Sequence, residues 1–332
     1  MTARERFRSV LDFQKPDDRL PMVEWAPWWD VTLDRWHGEG LDPHLWGEEL
    51  VGRFGLDSMV CLTADPHSRR LPTYHSHGPG LVTDEESYER ILPFLFQEES
   101  IQTLLDGARA LKAQHDRGEV ILRIWLDGFF WFPRTLFGIE PHLFAFHDQP
   151  DLMHRMNADL ADFHVRTLEA LSTVLLPDMI GYAEDMSYNL GPMLSKELFD
   201  TFLQPYYRKV NAFAKRLGHR ILIDSDGDVT TMVPWLIEAG IEGVYPLERQ
   251  AGVDVALIRE RHPRFLMLGG YDKMVMSRGE EAMRAEFERL LPVMRSGGYV
   301  PSVDHQTPPG VSLEAYRIYL ALFREYSERA AR

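Results

Sequence analysis

The chain has little cysteine and no long apolar run. Cys61 is the single cysteine among 332 residues, so an internal disulfide framework and a Cys-x-x-Cys metal or redox site are both excluded. No run of about 18 apolar residues is present, as a membrane-spanning helix would need. The opening residues, MTARERFRSV, lack the apolar segment of a secretory signal peptide. We therefore expect a cytoplasmic protein that does not span a membrane.

Basic residues are also scarce. The chain has 36 Lys and Arg against 51 Asp and Glu, which gives a formal net charge of −15. Binding to nucleic acid needs clustered basic residues that neutralise phosphates, and docking on an anionic membrane needs the same. The charge balance therefore predicts neither of these partners and favours a small-molecule substrate.

The pattern of apolar runs predicts the fold class. No Gly-x-Gly-x-x-Gly follows the first apolar run, which argues against a dinucleotide-binding fold. Thr2 and Glu5 form a capping box that predicts an N-terminal helix. Amphipathic stretches, of which Leu152–Val174 and Lys196–Leu217 are the longest, separate most of the short apolar runs. Eight such runs are Pro21–Glu24, Ser58–Leu62, Val120–Leu126, Met179–Ala183, Arg220–Ile223, Gly243–Tyr245, Phe265–Leu268 and Tyr299–Val303.

Alternating strands and helices with apolar strands indicate a parallel sheet covered by helices. Eight strands in a chain of this length favour an α/β fold of the (β/α)8 TIM-barrel type over an open sheet. We expect one domain over residues 1–332, with an N-terminal helical extension and long loops after the first strands, because no linker divides the sequence.

Acidic residues follow most of the predicted strands. A TIM barrel places its chemistry at the carboxyl ends of its strands, so these residues are candidates for a site. One interpretation is that each acid caps the helix that follows it. The other is that the acids meet at one opening, where they are protonated or bind a cation. The residues at these ends are Glu24, Asp127, Glu184, Asp185, Asp224, Asp226, Tyr245, Asp304 and His305.

Asp224, Asp226 and His305 form the sharpest candidate cluster. Carboxylate and imidazole groups suit zinc or another divalent metal ion, so these three residues are predicted metal ligands. The alternative is a hydrogen-bonded loop in which Asp304 or a backbone carbonyl satisfies His305.

Aromatic residues follow two of the predicted strands. Trp25, Trp28 and Trp29 follow the first, and Phe129 and Trp131 follow the third. Aromatic side chains near carboxylates are suited to bind an aryl ring or a methylated ammonium group. The second loop has a further cluster, which is interpreted either as a lid over the site or as a solvated hairpin or subunit contact. Its residues are His67, Arg69, Arg70, His75 and His77.

Several segments, in their order, resemble the uroporphyrinogen decarboxylase superfamily, which includes corrinoid-dependent methyltransferases. The opening MTARERFRSVLDFQKPDDRLPM is similar to the family's entry into its first strand. Residues 178–207 resemble the fourth strand and its helix, and residues 240–272 resemble the family's Gly-Gly-x-Asp region. The ending DHQTPPGVSLEAY is similar to its last strand. The resemblance implies a (β/α)8 barrel and a homodimer.

The chain also departs from the family pattern at two places. True uroporphyrinogen decarboxylases have an Arg-Gln-Ala-Gly-Arg-Tyr stretch that meets the substrate carboxylates, and this chain has EWAPWWD there. Corrinoid methyltransferases of the family bind zinc through His-x-Cys and a later Cys. Here Asp224 and Asp226 fall at the first pair and His305 lies near the third ligand.

These features predict a methyltransferase that moves a methyl group from a small O- or N-methylated substrate to a separate corrinoid protein. The substrate is expected between Trp25, Trp28 and Trp29 on one side and Phe129 and Trp131 on the other, with Glu24, Asp127 and Tyr245 nearby. Asp224, Asp226 and His305, with or without a metal, are expected to polarise the heteroatom, with Glu184 or Asp185 as a general acid.

Two alternatives stay open. One is a decarboxylase acting on a porphyrinogen or another small carboxylate. It would need a nearby cation, for which Arg123, Arg134 and Lys273 are the candidates. The other is a ligand-binding barrel without catalytic activity.

Overall fold

The computed structural model describes residues 1–26, 28–71 and 80–332, so the predictions for His75 and His77 lie outside the described residues. A curled sheet of seven parallel strands has the order β1-β2-β3-β6-β7-β8-β9, and β4 and β5 form a separate antiparallel pair. The strands are β1 (Ser58–Thr63), β2 (Val120–Asp127), β3 (Met179–Ala183), β4 (Ser187–Tyr188), β5 (Gly191–Pro192), β6 (Ile221–Asp224), β7 (Gly243–Tyr245), β8 (Leu266–Tyr271) and β9 (Tyr299–Val303).

Helices surround this sheet. Helix α5 (Glu98–Asp116) packs against β1 and β2, and α13 (Glu280–Met294) packs against β8 and β9. No helix of the described residues is long and apolar enough to cross a membrane. The helices are α1 (Ala3–Leu11), α2 (Asp30–Gly38), α3 (Gly47–Arg53), α4 (Glu85–Ile91), α5 (Glu98–Asp116), α6 (Trp131–Phe137), α7 (Ile139–Asp148), α8 (Pro150–Ser172), α9 (Lys196–Phe202), α10 (Gln204–Arg216), α11 (Val233–Glu238), α12 (Val255–Arg261), α13 (Glu280–Met294) and α14 (Leu313–Ala331).

Local sequence signals explain two helix boundaries. The capping box at the start of α1 is present as predicted, because Thr2 accepts the backbone N–H of Glu5 and Glu5 accepts that of Thr2. The predicted helix Lys196–Leu217 is in fact two helices that break at Leu203. Pro205 lies at the start of α10, where a missing N–H is tolerated, and its ring would obstruct a continuous helix.

The first predicted strand, Pro21–Glu24, is wrong, since this segment is not part of the sheet. It nevertheless lies beside the sheet's edge. Asp57, just before β1, donates its backbone N–H to the Met22 carbonyl at 2.7 Å and accepts the Met22 N–H on its carboxylate at 2.9 Å. The Trp25 indole N–H donates to the carbonyl of Val303 in β9 at 3.0 Å. Side-chain and single backbone contacts therefore replace the continuous ladder that an eighth strand would have.

The strand register places several polar side chains on one face of the sheet. Paired residues of parallel strands point to the same face, and residues two apart along a strand do so as well. Cys61 pairs with Arg123, Trp125 with Gly181, and Asp224 with Tyr245. Gly181 is required opposite Tyr245, because a Cβ there would overlap the phenol oxygen. The inner face thus contains charged groups among aromatic rings.

Candidate functional site

A cavity of about 290 Å³ lies at the carboxyl ends of β2, β3, β6 and β9. We call it the acidic cavity. It brings together five residues that the sequence singled out as site candidates, although they are far apart along the chain. Its lining is Trp25, Ala26, Arg123, Trp125, Asp185, Asp224, Asp226, His305 and Gln306.

The carboxyl groups of this cavity favour their protonated forms. Burial raises the pKa of Asp224 well above its usual value, and the nearby Asp185 raises it further. Burial, with Asp185 and Glu248, raises the pKa of Asp226 to about 7. Burial also raises the pKa of Asp185. Burial and the Lys273 charge lower the pKa of His305, which favours its neutral form. The cavity therefore holds proton donors at neutral pH.

The predicted metal ligands do not fit a metal ion. In the described parts of the chain, no group of three His, Cys, Asp or Glu side chains is arranged to hold one. His305 Nε2 lies 3.7 Å from Asp226 Oδ2, and the Arg123 guanidinium lines the same cavity. Asp224, Asp226 and His305 come together as predicted, but as neighbours in a cavity and not as a ligand set.

A second, larger cavity of about 560 Å³ lies beside the free edge of β1. We call it the apolar cavity. Trp25 and Arg123 line both cavities and separate them. Trp28 lines the apolar cavity, and its ring packs edge-on against Phe54 at 5.3 Å. Other apolar residues lining it are Leu33, Trp46, Leu50, Val51, Met59 and Val60.

Glu24 lies half-buried at the wall of the apolar cavity. Its carboxylate accepts hydrogen bonds from Ser302 Oγ at 3.1 Å and from the Tyr316 hydroxyl at 3.2 Å. Burial raises the pKa of Glu24 from 4.5 to about 7, because these hydroxyl donors compensate only part of the lost hydration.

Replacing Glu24 with glutamine is expected to remove a pH-dependent loss of stability. Between pH 4.5 and 7 the folded protein keeps a proton on Glu24 that the unfolded chain releases, so wild-type stability falls as the pH rises through this range. Urea unfolding measures the free energy of unfolding at pH 5 and pH 8. From the lower to the higher pH, the value for Glu24→Gln should rise relative to wild type by on the order of 2 kcal/mol. Glu314→Gln, at an exposed position, should show no such gain, and an equal response of both variants would contradict the assignment.

Arg123 lines both cavities, although the sequence offers it only as a candidate cation for the decarboxylase alternative. Its side chain projects from the middle of β2 and the residue is only 5% exposed. The guanidinium carbon lies 4.9 Å from the centre of the Trp125 ring, 5.5 Å from that of Tyr245 and 5.9 Å from that of Trp25. The sequence contains a signal for this position, because Arg123 is the one charged residue in the otherwise apolar run VILRIWL.

Glu184 occupies a different place from the one expected of a general acid. It is 1% exposed and lines neither cavity. Its carboxylate accepts the backbone N–H groups of Phe129, Phe130 and Trp131 at 2.7 to 2.9 Å, and the Tyr207 hydroxyl also donates to it. Burial raises the pKa of Glu184 to about 8, against the three N–H donors that favour its ionised form. The structure thus gives Glu184 a capping role before α6.

The two predicted aromatic groups do not enclose a common substrate. Phe129 is fully buried and packs on Tyr207 with ring centres 4.9 Å apart. Trp131 lies under the Arg134 guanidinium at 5.1 Å, and Trp29 is 42% exposed. None of the three lines either cavity. Their positions after strands indicate the opening, but Trp131 begins α6 and Phe129, just before this helix, is buried in the core.

Asp127 and Tyr245 lie near the site without completing it. Asp127, at the end of β2, is 3.9 Å from the His67 ring nitrogen, and burial raises the pKa of Asp127 to about 6. The Tyr245 ring is fully buried and its centre lies 5.3 Å from that of Trp25. Tyr245 therefore packs against Trp25 and lies beside the Arg123 guanidinium, whereas Asp127 belongs to a separate cluster with His67.

A sequence model of the family described as uroporphyrinogen decarboxylase (URO-D) matches residues 79–326, well over half of the chain. The chain belongs to the uroporphyrinogen decarboxylase family. The resemblance drawn from its motifs is thereby confirmed. The comparison with curated protein sequences gave no match.

The fold of this chain is similar to that of a solved methyltransferase structure. A methyltransferase from Methanosarcina mazei has a TM-score of 0.66 and 16% sequence identity, covering 98% of this chain and 99% of its own. A β-glycosidase from Thermosphaera aggregans has a TM-score of 0.44 and 10% identity, covering 84% and 83%. At these identities the comparison shows the fold alone, so the activity of this member of the uroporphyrinogen decarboxylase family must be argued from its site.

Proposed function

We propose that this protein is a methyltransferase that takes a methyl group from the oxygen or nitrogen of a small substrate in the acidic cavity. The acceptor is the corrinoid of a separate carrier protein, which supplies the electron pair for the new bond to the methyl group. The observation that supports the proposal is the meeting of Asp185, Asp224, Asp226 and His305 in one small cavity at the strand ends.

The acids of this cavity suit the departure of a heteroatom. When the bond to the methyl group breaks, the oxygen or nitrogen keeps the bonding electrons, and an uncharged ether oxygen leaves poorly without a proton. Asp226, whose pKa is raised to about 7, can hold that proton at neutral pH and give it to the heteroatom. Asp224, more deeply buried, contacts the substrate in the same cavity.

A second candidate is decarboxylation of a small carboxylate, which Arg123 favours. A buried cation at the cavity wall can bind the carboxylate, and the acids can protonate the carbon that loses carbon dioxide. A cavity of about 290 Å³ is small for a tetrapyrrole, so any such substrate would be a small acid.

One assay separates the two reactions. The purified protein is incubated with a reduced corrinoid and, in turn, with methoxyaromatic compounds, with N-methylated amines and betaines, and with small carboxylic acids. We expect one methylated class to lose its methyl group, followed by corrinoid absorbance and by mass spectrometry of the product, with no carbon dioxide released. Carbon dioxide release without demethylation would favour the decarboxylase instead, and binding without either reaction would favour a ligand-binding barrel.

A further inference from the structure

Within the part of the chain that the structure describes, two hydrogen-bond donors of Arg123 are unused. Its Nε and Nη1 atoms are buried there without a hydrogen-bond partner. Aromatic rings lie near the guanidinium, which stabilises the charge without using its N–H groups. Burying an unpaired charge costs several kcal/mol, so these donors are best explained by a ligand. The chemistry that they fit is a carboxylate.

The same cavity also contains a cluster of acidic side chains. Asp185, Asp224 and Asp226 all line it, and Asp185 raises the pKa of both Asp224 and Asp226. Such a cluster is stabilised in its ionised form by a cation in the cavity. Among the described residues, the Nε and Nη1 atoms of Arg123 have no hydrogen-bond partner, so they do not bind these carboxylates directly. The cavity thus offers one place for an anion and one for a cation.

We infer that the acidic cavity binds a zwitterion, an N-methylated amino acid or betaine, with its carboxylate on Arg123 and its ammonium group against Asp224 and Asp226. This inference rests on the proposed function only for the fate of the methyl group. The binding itself follows from the two charge signs in one cavity.

Size and surface agree with this class of ligand. A cavity of about 290 Å³ is at the lower limit of small-molecule sites, which suits a molecule of few atoms. Trp25 and Trp125 line it, and aromatic faces attract methylated ammonium groups. The ligand carboxylate replaces water on buried donors, and its ammonium reduces repulsion between the acids.

Binding to the whole protein tests the inference with three probes of similar size. These are N,N,N-trimethylglycine, its uncharged-head analogue 3,3-dimethylbutanoate, and tetramethylammonium, measured by calorimetry and tryptophan fluorescence. We expect trimethylglycine to bind at least tenfold more tightly than either single-charge probe. Equal binding of trimethylglycine and 3,3-dimethylbutanoate would overturn the inference.

Substitutions test which residues bind the carboxylate and the ammonium group of the ligand. Arg123→Met and Asp226→Asn should each weaken trimethylglycine at least tenfold, whereas Arg117→Met, which removes an exposed arginine, should not. Unchanged binding in Arg123→Met would overturn the inference. If Arg123→Met fails to fold, Arg123→Lys replaces it, and the comparison of probes on the wild-type protein still decides.

The outcome also separates this inference from the proposed function. Tight trimethylglycine binding without demethylation upholds the zwitterion site and contradicts the methyltransferase. Demethylation of a methoxyaromatic compound by a protein that ignores trimethylglycine upholds the methyltransferase and contradicts the zwitterion site.

Discussion

Glu184→Ala is expected to lower the free energy of unfolding by about 3–5 kcal/mol. The substitution removes the acceptor of three buried backbone N–H groups, those of Phe129, Phe130 and Trp131. Each unsatisfied buried donor costs about 1–3 kcal/mol, and partial entry of water reduces the total. It also leaves the buried Tyr207 hydroxyl without its carboxylate acceptor. Urea unfolding monitored by circular dichroism measures the loss.

Two controls distinguish capping from a general effect of removing charge. Glu184→Gln keeps one oxygen acceptor but brings an amide NH₂ towards backbone donors, so its loss should lie between zero and that of alanine. Glu314→Ala, at an exposed position in the first turn of α14, should cost less than about 0.5 kcal/mol. If Glu184→Ala unfolds like wild type, the capping role is wrong and a catalytic role regains support.

With a methoxy substrate, Asp226→Asn is expected to reduce the rate of the proposed methyl transfer by about 10²- to 10⁴-fold while the protein stays folded. Asparagine keeps the shape of the side chain but cannot supply the proton that the leaving heteroatom takes. In the wild type, the rate should fall as the pH rises through about 7, because Asp226 then loses its proton. The pH profile of the variant should lack this decline.

Asp228→Asn provides the matched control for this measurement. Asp228 lies two residues further on, caps the turn at Thr230 through its carboxylate, and does not line the acidic cavity. Its rate should stay within about threefold of wild type, since surface caps affect stability more than chemistry. A normal rate in Asp226→Asn would show that another group, with His305 the nearest, supplies the proton.

Much of the fold and part of the site followed from the sequence. Runs of apolar residues separated by amphipathic stretches predicted the parallel sheet, because strands buried on both faces need such runs. The convergence of Asp224, Asp226 and His305 followed from the rule that parallel strands end at one edge. These predictions depend on periodicity and order, which a sequence displays directly.

The remaining features depend on direction and on contacts. Asp185 lines the cavity while its neighbour Glu184 points towards the N-terminus of α6, and nothing in the sequence separates two adjacent acids. The same holds for Phe129, which turns into the packing beside Tyr207. Pro21–Glu24 has the composition of a strand, but it is held by Asp57 and by the Trp25 indole without a ladder.

Trp25 and Arg123 line both the acidic cavity and the apolar cavity. Arg123 borders both the opening at the strand ends and the pocket along the outer edge of β1. A molecule in either cavity therefore lies next to the same guanidinium.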